Sequence, residues 1–215
     1  MKKVIFILGA AVITAMMITS CGGSSYEEVK IGDQVWMTEN LNVEEFRNGD
    51  PIPHANTFAK WRKAGQEGQP AWCYYENNPA NGEKYGKLYN WYAVNDLRGL
   101  APKGWHIPSD KEWRLLNSFL GGSKVAAKKM KITRGWDKSG NGNNESGFSA
   151  LPSGLLSAQY EYDYEFGGLG SLAIWWSNTE RGKDNVWYQH IDTDECGVAQ
   201  DINKFFGLTV RCIKD

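Results

Sequence analysis

The sequence predicts an α+β domain with two helices, a small and mainly antiparallel sheet, and long ordered loops. Three observations lead there. Only two segments place apolar residues at helical spacing. Short strand-like runs, punctuated by Gly and Asn-Gly turns, occur towards both ends. The 215 residues include 10 Trp, 10 Tyr and 24 Gly, a composition in which rings fill the core and tight turns join short strands.

The first segment stands apart from that domain. Lys2 and Lys3 precede a run from Val4 to Ile18 that is apolar or small except for Thr14. A membrane-spanning helix needs about 20 apolar residues, whereas this run has the length of the apolar part of a secretory signal. It ends in Ile18-Thr19-Ser20-Cys21, which resembles the lipobox of bacterial lipoproteins, where the cysteine thiol receives a diacylglyceryl group. Residues 1–20 are therefore expected to be a signal peptide, residues 21–28 a tether lipidated at Cys21, and residues 29–215 a single domain. Two or three acyl chains hold a protein on a bilayer far better than one. The expected place is the cell envelope, lipid-anchored at the outer membrane, on its periplasmic face or at the cell surface.

The chain carries a net charge of -1. Without Lys2 and Lys3, 22 basic residues face 25 acidic ones. That balance excludes a nucleic-acid binder, which shows a basic stripe. No second run approaches the length of a membrane span.

Within the domain, Val29-Lys30-Ile31 and Gln34-Val35-Trp36-Met37 read as a hairpin about Gly32-Asp33. Residues 44–70 read as a loop with one short helix and two large anchors, Phe58 and Trp61. Trp72 to Tyr75 is a brief strand, and Asn77 to Gly82 is dense in turn residues. The first helix pattern is Leu88, Tyr89, Trp91, Tyr92 and Val94. The second is better marked. Ser109-Asp110-Lys111-Glu112 is a capping box, Trp113, Leu115, Leu116, Phe119 and Leu120 supply the apolar stripe, and Gly121-Gly122 ends it. Residues 139–147 are too rich in Gly and Asn for regular structure. Tyr160 to Phe166 alternates aromatic and acidic residues, which in one strand puts four rings on one face and Glu161, Asp163 and Glu165 on the other. Leu172 to Ser177, Val186 to Ile191, Gly197 to Ile202 and Leu208 to Ile213 are strand candidates.

Several blocks resemble one family. They are Ala71-Trp72-Cys73-Tyr74-Tyr75, Tyr85-Gly86-Lys87-Leu88-Tyr89-Asn90-Trp91-Tyr92-Ala93, Leu100 to Ser109 with Glu112-Trp113, Glu145 to Pro152, Trp175 to Glu180, and Val210-Arg211-Cys212. Together they resemble the Fibrobacter succinogenes major paralogous domain, over roughly Val29 to Asp215. The resemblance implies a branch of the C-type-lectin-like fold, related to the domain of formylglycine-generating enzymes. The stretch Trp105 to Trp113 is similar to the helix start of those enzymes, and Val210-Arg211-Cys212 to their Arg-Cys strand. It implies no activity, since fold alone does not give function.

The residues themselves do not point to an enzyme. Cys73 and Cys212 lack the basic neighbours that activate a thiol. His54, His106 and His190 are widely spaced, and His106, between Trp105 and Ile107, reads as a satisfied core or strand histidine. No cofactor is expected and no metal is assigned. The expected function is a membrane-anchored extracytoplasmic binding module for glycan or protein. The alternative is a structural or adhesive surface protein, such as a filament component, without a small ligand. Expected partners are the membrane, through the lipid on Cys21, and a glycan or surface protein. The candidate ligand residues are Asn141, Asn143, Asn144 and Glu145 in the long loop, with Trp175 and Trp176. Asp192, Asp194, Glu195 and Asp201 form a second polar set, without the ordered spacing of a calcium loop. Cys73 and Cys212 both lie in strand-like settings inside the family-like blocks. They are expected to pair, which would stabilise the fold by about 4–5 kcal/mol and leave Cys196 free.

Overall fold

The computed structural model describes residues 26–160 and 163–215. The expected signal peptide, Cys21 and residues 22–25 of the expected tether lie outside the described residues, as do Glu161 and Tyr162. The fold is α+β, with five helices rather than two and several small antiparallel sheets.

The hairpin forms as read: β1 (Glu28–Ile31) pairs with β2 (Gln34–Met37) about Gly32, whose φ of 62° suits glycine. Helix α1 (Phe58–Gln66) starts at Thr57, whose hydroxyl accepts from the Lys60 amide, and buries Trp61. Strand β3 (Trp72–Cys73) is shorter than expected and runs into a 3-10 turn, Tyr75–Asn77. The supposed turn at residues 77–82 is largely helix α2 (Pro79–Tyr85). Asn78 is its N-cap and Pro79 its first residue, so turn-forming residues here open a helix. Strand β4 (Leu88–Tyr89) and the single turn α3 (Trp91–Val94), capped by Asn90, divide the first expected helix.

After β5 (Trp105–His106) comes α4 (Asp110–Phe119), with the capping box of Ser109 and Glu112 complete. Helix α5 (Ser123–Met130) was not anticipated. Its inward face is Ala126, Ala127 and Met130, too small an apolar stripe to stand out. Strands β6 (Ser153–Tyr160) and β7 (Asp163–Leu169) pair antiparallel, with Tyr160 opposite Asp163. The alternating stretch from Tyr160 to Phe166 is therefore split between two strands of a hairpin. Alternation cannot show where a chain reverses, because both arms keep the same period. Strands β8 (Ala173–Arg181), β9 (Asn185–Ile191) and β10 (Cys196–Asn203) form a sheet in the order β10-β9-β8. Strand β11 (Ile213–Lys214) lies between β2 and β5, so both ends of the domain meet in one four-stranded sheet.

The β8–β10 sheet separates two cores. Ala173, Trp175, Ile191 and Cys196 pack with Trp113, Leu116, Ala126 and Met130 of α4 and α5. Ile174, Trp176, Val186 and Ile202 face the other way, onto Met37, Tyr89, Trp105 and Val210. A third cluster gathers Trp61, Cys73, Tyr75, Leu88 and Leu156 around α1.

The expected disulfide is absent. Cys73, Cys196 and Cys212 are free, buried thiols, and each belongs to a different cluster. Strand-like surroundings are no guide to which thiols are neighbours.

Candidate functional site

The long loop expected to bind ligand closes the end of α5, with Asn141, Asn143 and Glu145 exposed. The amides of Gly142, Asn143, Asn144 and Ser146 donate to the carbonyls of Ile132, Lys128, Lys131 and Lys129. Those of Lys128, Lys129 and the C-cap Lys131 are carbonyls that the end of α5 leaves without helical donors. Asn141 Oδ1 accepts from the Trp136 amide, Asn143 Oδ1 from that of Glu145, and Asn144 Oδ1 from that of Ser149. Glu145 pairs with Lys129 at 3.1 Å. Trp175 and Trp176 are both 0% exposed, so neither offers a face to a ligand. Their indole N–H groups donate to Asn40 Oδ1 and to the Tyr89 carbonyl. Among the described residues, no group of three or more His, Cys, Asp or Glu is arranged to hold a metal ion.

The three histidines sit in three different settings. His54 stacks on Trp72, ring centroids 3.9 Å apart, with Tyr74 edge-on. Beside them the buried Lys87 donates to Asn42 and pairs with Glu44 at 3.3 Å. Burial lowers the His54 pKa. His106 is clamped at both nitrogens: Nδ1 lies 2.9 Å from Asp215 and Nε2 2.9 Å from Glu112. Glu112 in turn accepts from the amide and hydroxyl of Ser109. Burial alone would lower the His106 pKa, but its hydrogen bonds to the two carboxylates outweigh it and raise the value. This ring has no nitrogen left for a substrate.

His190 differs. It lies on β9, on the face turned away from α4 and α5, paired across β8 with Ile174 and across β10 with Gly197. Its Nδ1 is buried without a hydrogen-bond partner. Burial lowers its pKa, against the opposing influence of Asp192 and Glu195, so the neutral ring is favoured. It lines a pocket of about 260 Å³ with Leu155, Leu172, Ile174, Tyr188, Ile202 and Phe206. The pocket is an apolar recess on the sheet, bordered by the rings of Tyr188, His190 and Phe206. Such a combination takes a group with an apolar body and one polar handle. The alternation Val186, Tyr188, His190 along β9 was visible in the sequence. The pocket was not, because Leu155, Leu172 and Phe206 reach it from elsewhere in the chain.

A larger depression of about 420 Å³ lies among Tyr26, Glu44, Phe46, Arg47, Leu100 and Lys103. Its central cation is already committed, since Arg47 donates to the carbonyls of Ala101 and Trp105. Among the described residues, four buried side-chain polar atoms lack a partner: Asn77 Oδ1, Trp91 Nε1, Ser153 Oγ and His190 Nδ1. Of the residues that carry them, His190 is the one that lines either of these two pockets, which makes the smaller recess the better site.

No curated protein and no solved structure matches the chain. The family model of the Fibrobacter succinogenes major domain matches residues 29–214, from the first strand to the last, and the chain belongs to that family.

Proposed function

We propose that this protein is a membrane-anchored extracytoplasmic binding module, not an enzyme, whose glycan or protein ligand places one ring-sized group over Tyr188 and His190. The observation that carries this is the apolar pocket lined by Tyr188 and His190, with His190 Nδ1 buried and without a hydrogen-bond partner. The pocket is smaller than those that enclose a drug-sized ligand, roughly 300–1,000 Å³, so it suits a single ring of a larger molecule. The thiols lend themselves poorly to catalysis. Burial pushes Cys73 up, Cys212 up to about 12 and Cys196 up to about 11. We read the fold as a branch of the C-type-lectin-like type. What supports this is the meeting of the N-terminal hairpin and C-terminal strand in one sheet, with α4 starting just after β5.

The test uses the chain from Gly22 onward, which keeps every described element, on a glycan array and against peptide libraries. Binding that falls at least tenfold in both His190→Ala and Leu172→Ala supports the pocket. Binding untouched by either substitution sinks it. The anchor is tested on the full chain. Cys21→Ser is expected to abolish palmitate labelling and release the protein from the membrane fraction, and labelling that survives the substitution refutes lipidation.

The adhesive reading has one observation in its favour. Strand β10 spans eight residues and pairs only with β9 among the described strands, so its outer edge is open to strand addition.

A further inference from the structure

Helices α4 and α5 present an outer face with a distinct composition. On α4, Lys111, Arg114, Leu115, Ser118 and Phe119 are all exposed. At about 100° per residue they fall in one sector of about 140°. On α5, the exposed residues after Ser123 are Lys124, Val125 and Lys128. The two helices are joined by Gly121-Gly122 and pack on one another. Leu115, Phe119 and Val125 are 57%, 63% and 48% exposed, three of the five large exposed hydrophobic side chains among the described residues. Phe119 lies over Gly32, at the tip of the β1–β2 hairpin. The side chain of Arg114 pairs with Asp110 at 3.5 Å and sits over the half-buried Trp187. The acidic neighbours are Asp33, next to Gly32, and Glu195, near Ser123.

We propose that this face lies on the anionic surface of the membrane that carries the anchor, with Leu115, Phe119 and Val125 in the interface and Lys111, Arg114, Lys124 and Lys128 among the headgroups. Apolar residues flanked by cations on an exposed helical face are the chemistry of interfacial attachment. The tether agrees in length. Six residues separate Cys21 from Glu28, seven steps with a reach of at most about 25 Å, and β1 then runs to the hairpin tip under Phe119. The orientation also fits the pocket. The helices cover one face of the β8–β10 sheet and the His190 pocket opens on the other. Helices on the lipid turn the pocket to the aqueous side. The tether argument rests on the anchor reading, whereas the surface chemistry does not.

The test again uses the chain from Gly22 onward, which lacks the lipid, so its failure leaves the anchor untouched. It is sedimented with vesicles of phosphatidylcholine alone or mixed with phosphatidylglycerol. Binding is expected to the mixed vesicles only, to weaken as salt rises, and to fall about fivefold for each lysine removed at Lys124 and Lys128. Leu115→Ser with Phe119→Ser is expected to abolish it. Thermal melting checks that each variant folds, and Lys124→Glu with Lys128→Glu, both at exposed positions, tests the face if the apolar pair unfolds. Equal binding to both vesicle types, no binding to either, or binding unaffected by Lys124→Glu with Lys128→Glu overturns the proposal. A concentration-dependent dimer lost in Phe119→Ser, without vesicle binding, overturns it in favour of a contact between two copies.

Discussion

Arg211 is fully buried, and its guanidinium donates to Asn40 Oδ1 and to the carbonyls of Met37 and Phe148. Burial brings its pKa down to about 9, and the Phe148 ring beneath it partly offsets the lost water. Asn40 is the hub: its one oxygen also accepts from the Trp175 indole, and its amide donates to the Tyr85 carbonyl. Asn40→Ala strands a buried cation and a buried indole N–H, so urea denaturation is expected to show a loss of about 3 kcal/mol or more. His106 makes a second residue-scale prediction. Its pKa is raised in the folded state, so the stability it contributes is present below the ordinary value of 6.5 and is lost as pH rises through the folded value. Burial would raise the Glu112 pKa, but hydrogen bonds from Ser109 and His106 lower it below its ordinary 4.5, so that contribution is lost as pH falls through the lowered value. The clamp is therefore strongest from about pH 4.5 to 6.5. Melting temperature against pH is expected to decline above that window in the wild type, and the decline to flatten in His106→Gln. The identity of His106 as a strand residue was legible. Its two carboxylates were not, because Asp215 arrives from the far end of the chain.

At the scale of elements, sequence reading succeeded where the signal is local. The α4 capping box needs only residues 109–112, and the β1–β2 hairpin only Gly32 between two short apolar runs. It failed where the deciding partner is distant. Asn-Gly-rich residues 141–146 read as an irregular loop, and what their sequence does not show is that their amides close the end of α5. Gly142 is the tight point, since a Cβ there would meet the carbonyl oxygens of Lys131 and Lys128. Gly142→Ala is expected to cost about 1–3 kcal/mol and to speed amide exchange in the last turn of α5 first. Unchanged exchange there would show that the loop does not cap the helix. The aromatic excess had two readings, core or sugar platform. Trp36, Trp113, Trp175 and Phe148 stack together in the core behind α4, so for these rings the first holds.

At the scale of the molecule, the three cores explain the thiols. Cys73, Cys196 and Cys212 sit in separate clusters, shielded from one another and from oxidants. The native chain from Gly22 onward is expected to give no reaction with Ellman's reagent and, once denatured, to titrate three thiols. A single thiol after denaturation would restore the disulfide and refute this packing. The same layering puts the helices on one side of the β8–β10 sheet and the pocket on the other, which is what ties the two proposals into one orientation.

The sequence by itself determined the α+β class, the hairpin, the capped helix α4 and the family. Each follows from local period, local capping or an ordered set of motifs. Only the tertiary structure decided which cysteines meet, that Trp175 and Trp176 are interior, that the Asn-rich loop serves α5, and that His190 keeps a free nitrogen. The physical reason is the same in every case. Burial and hydrogen-bond satisfaction depend on what arrives from far along the chain, and no period or spacing encodes that partner.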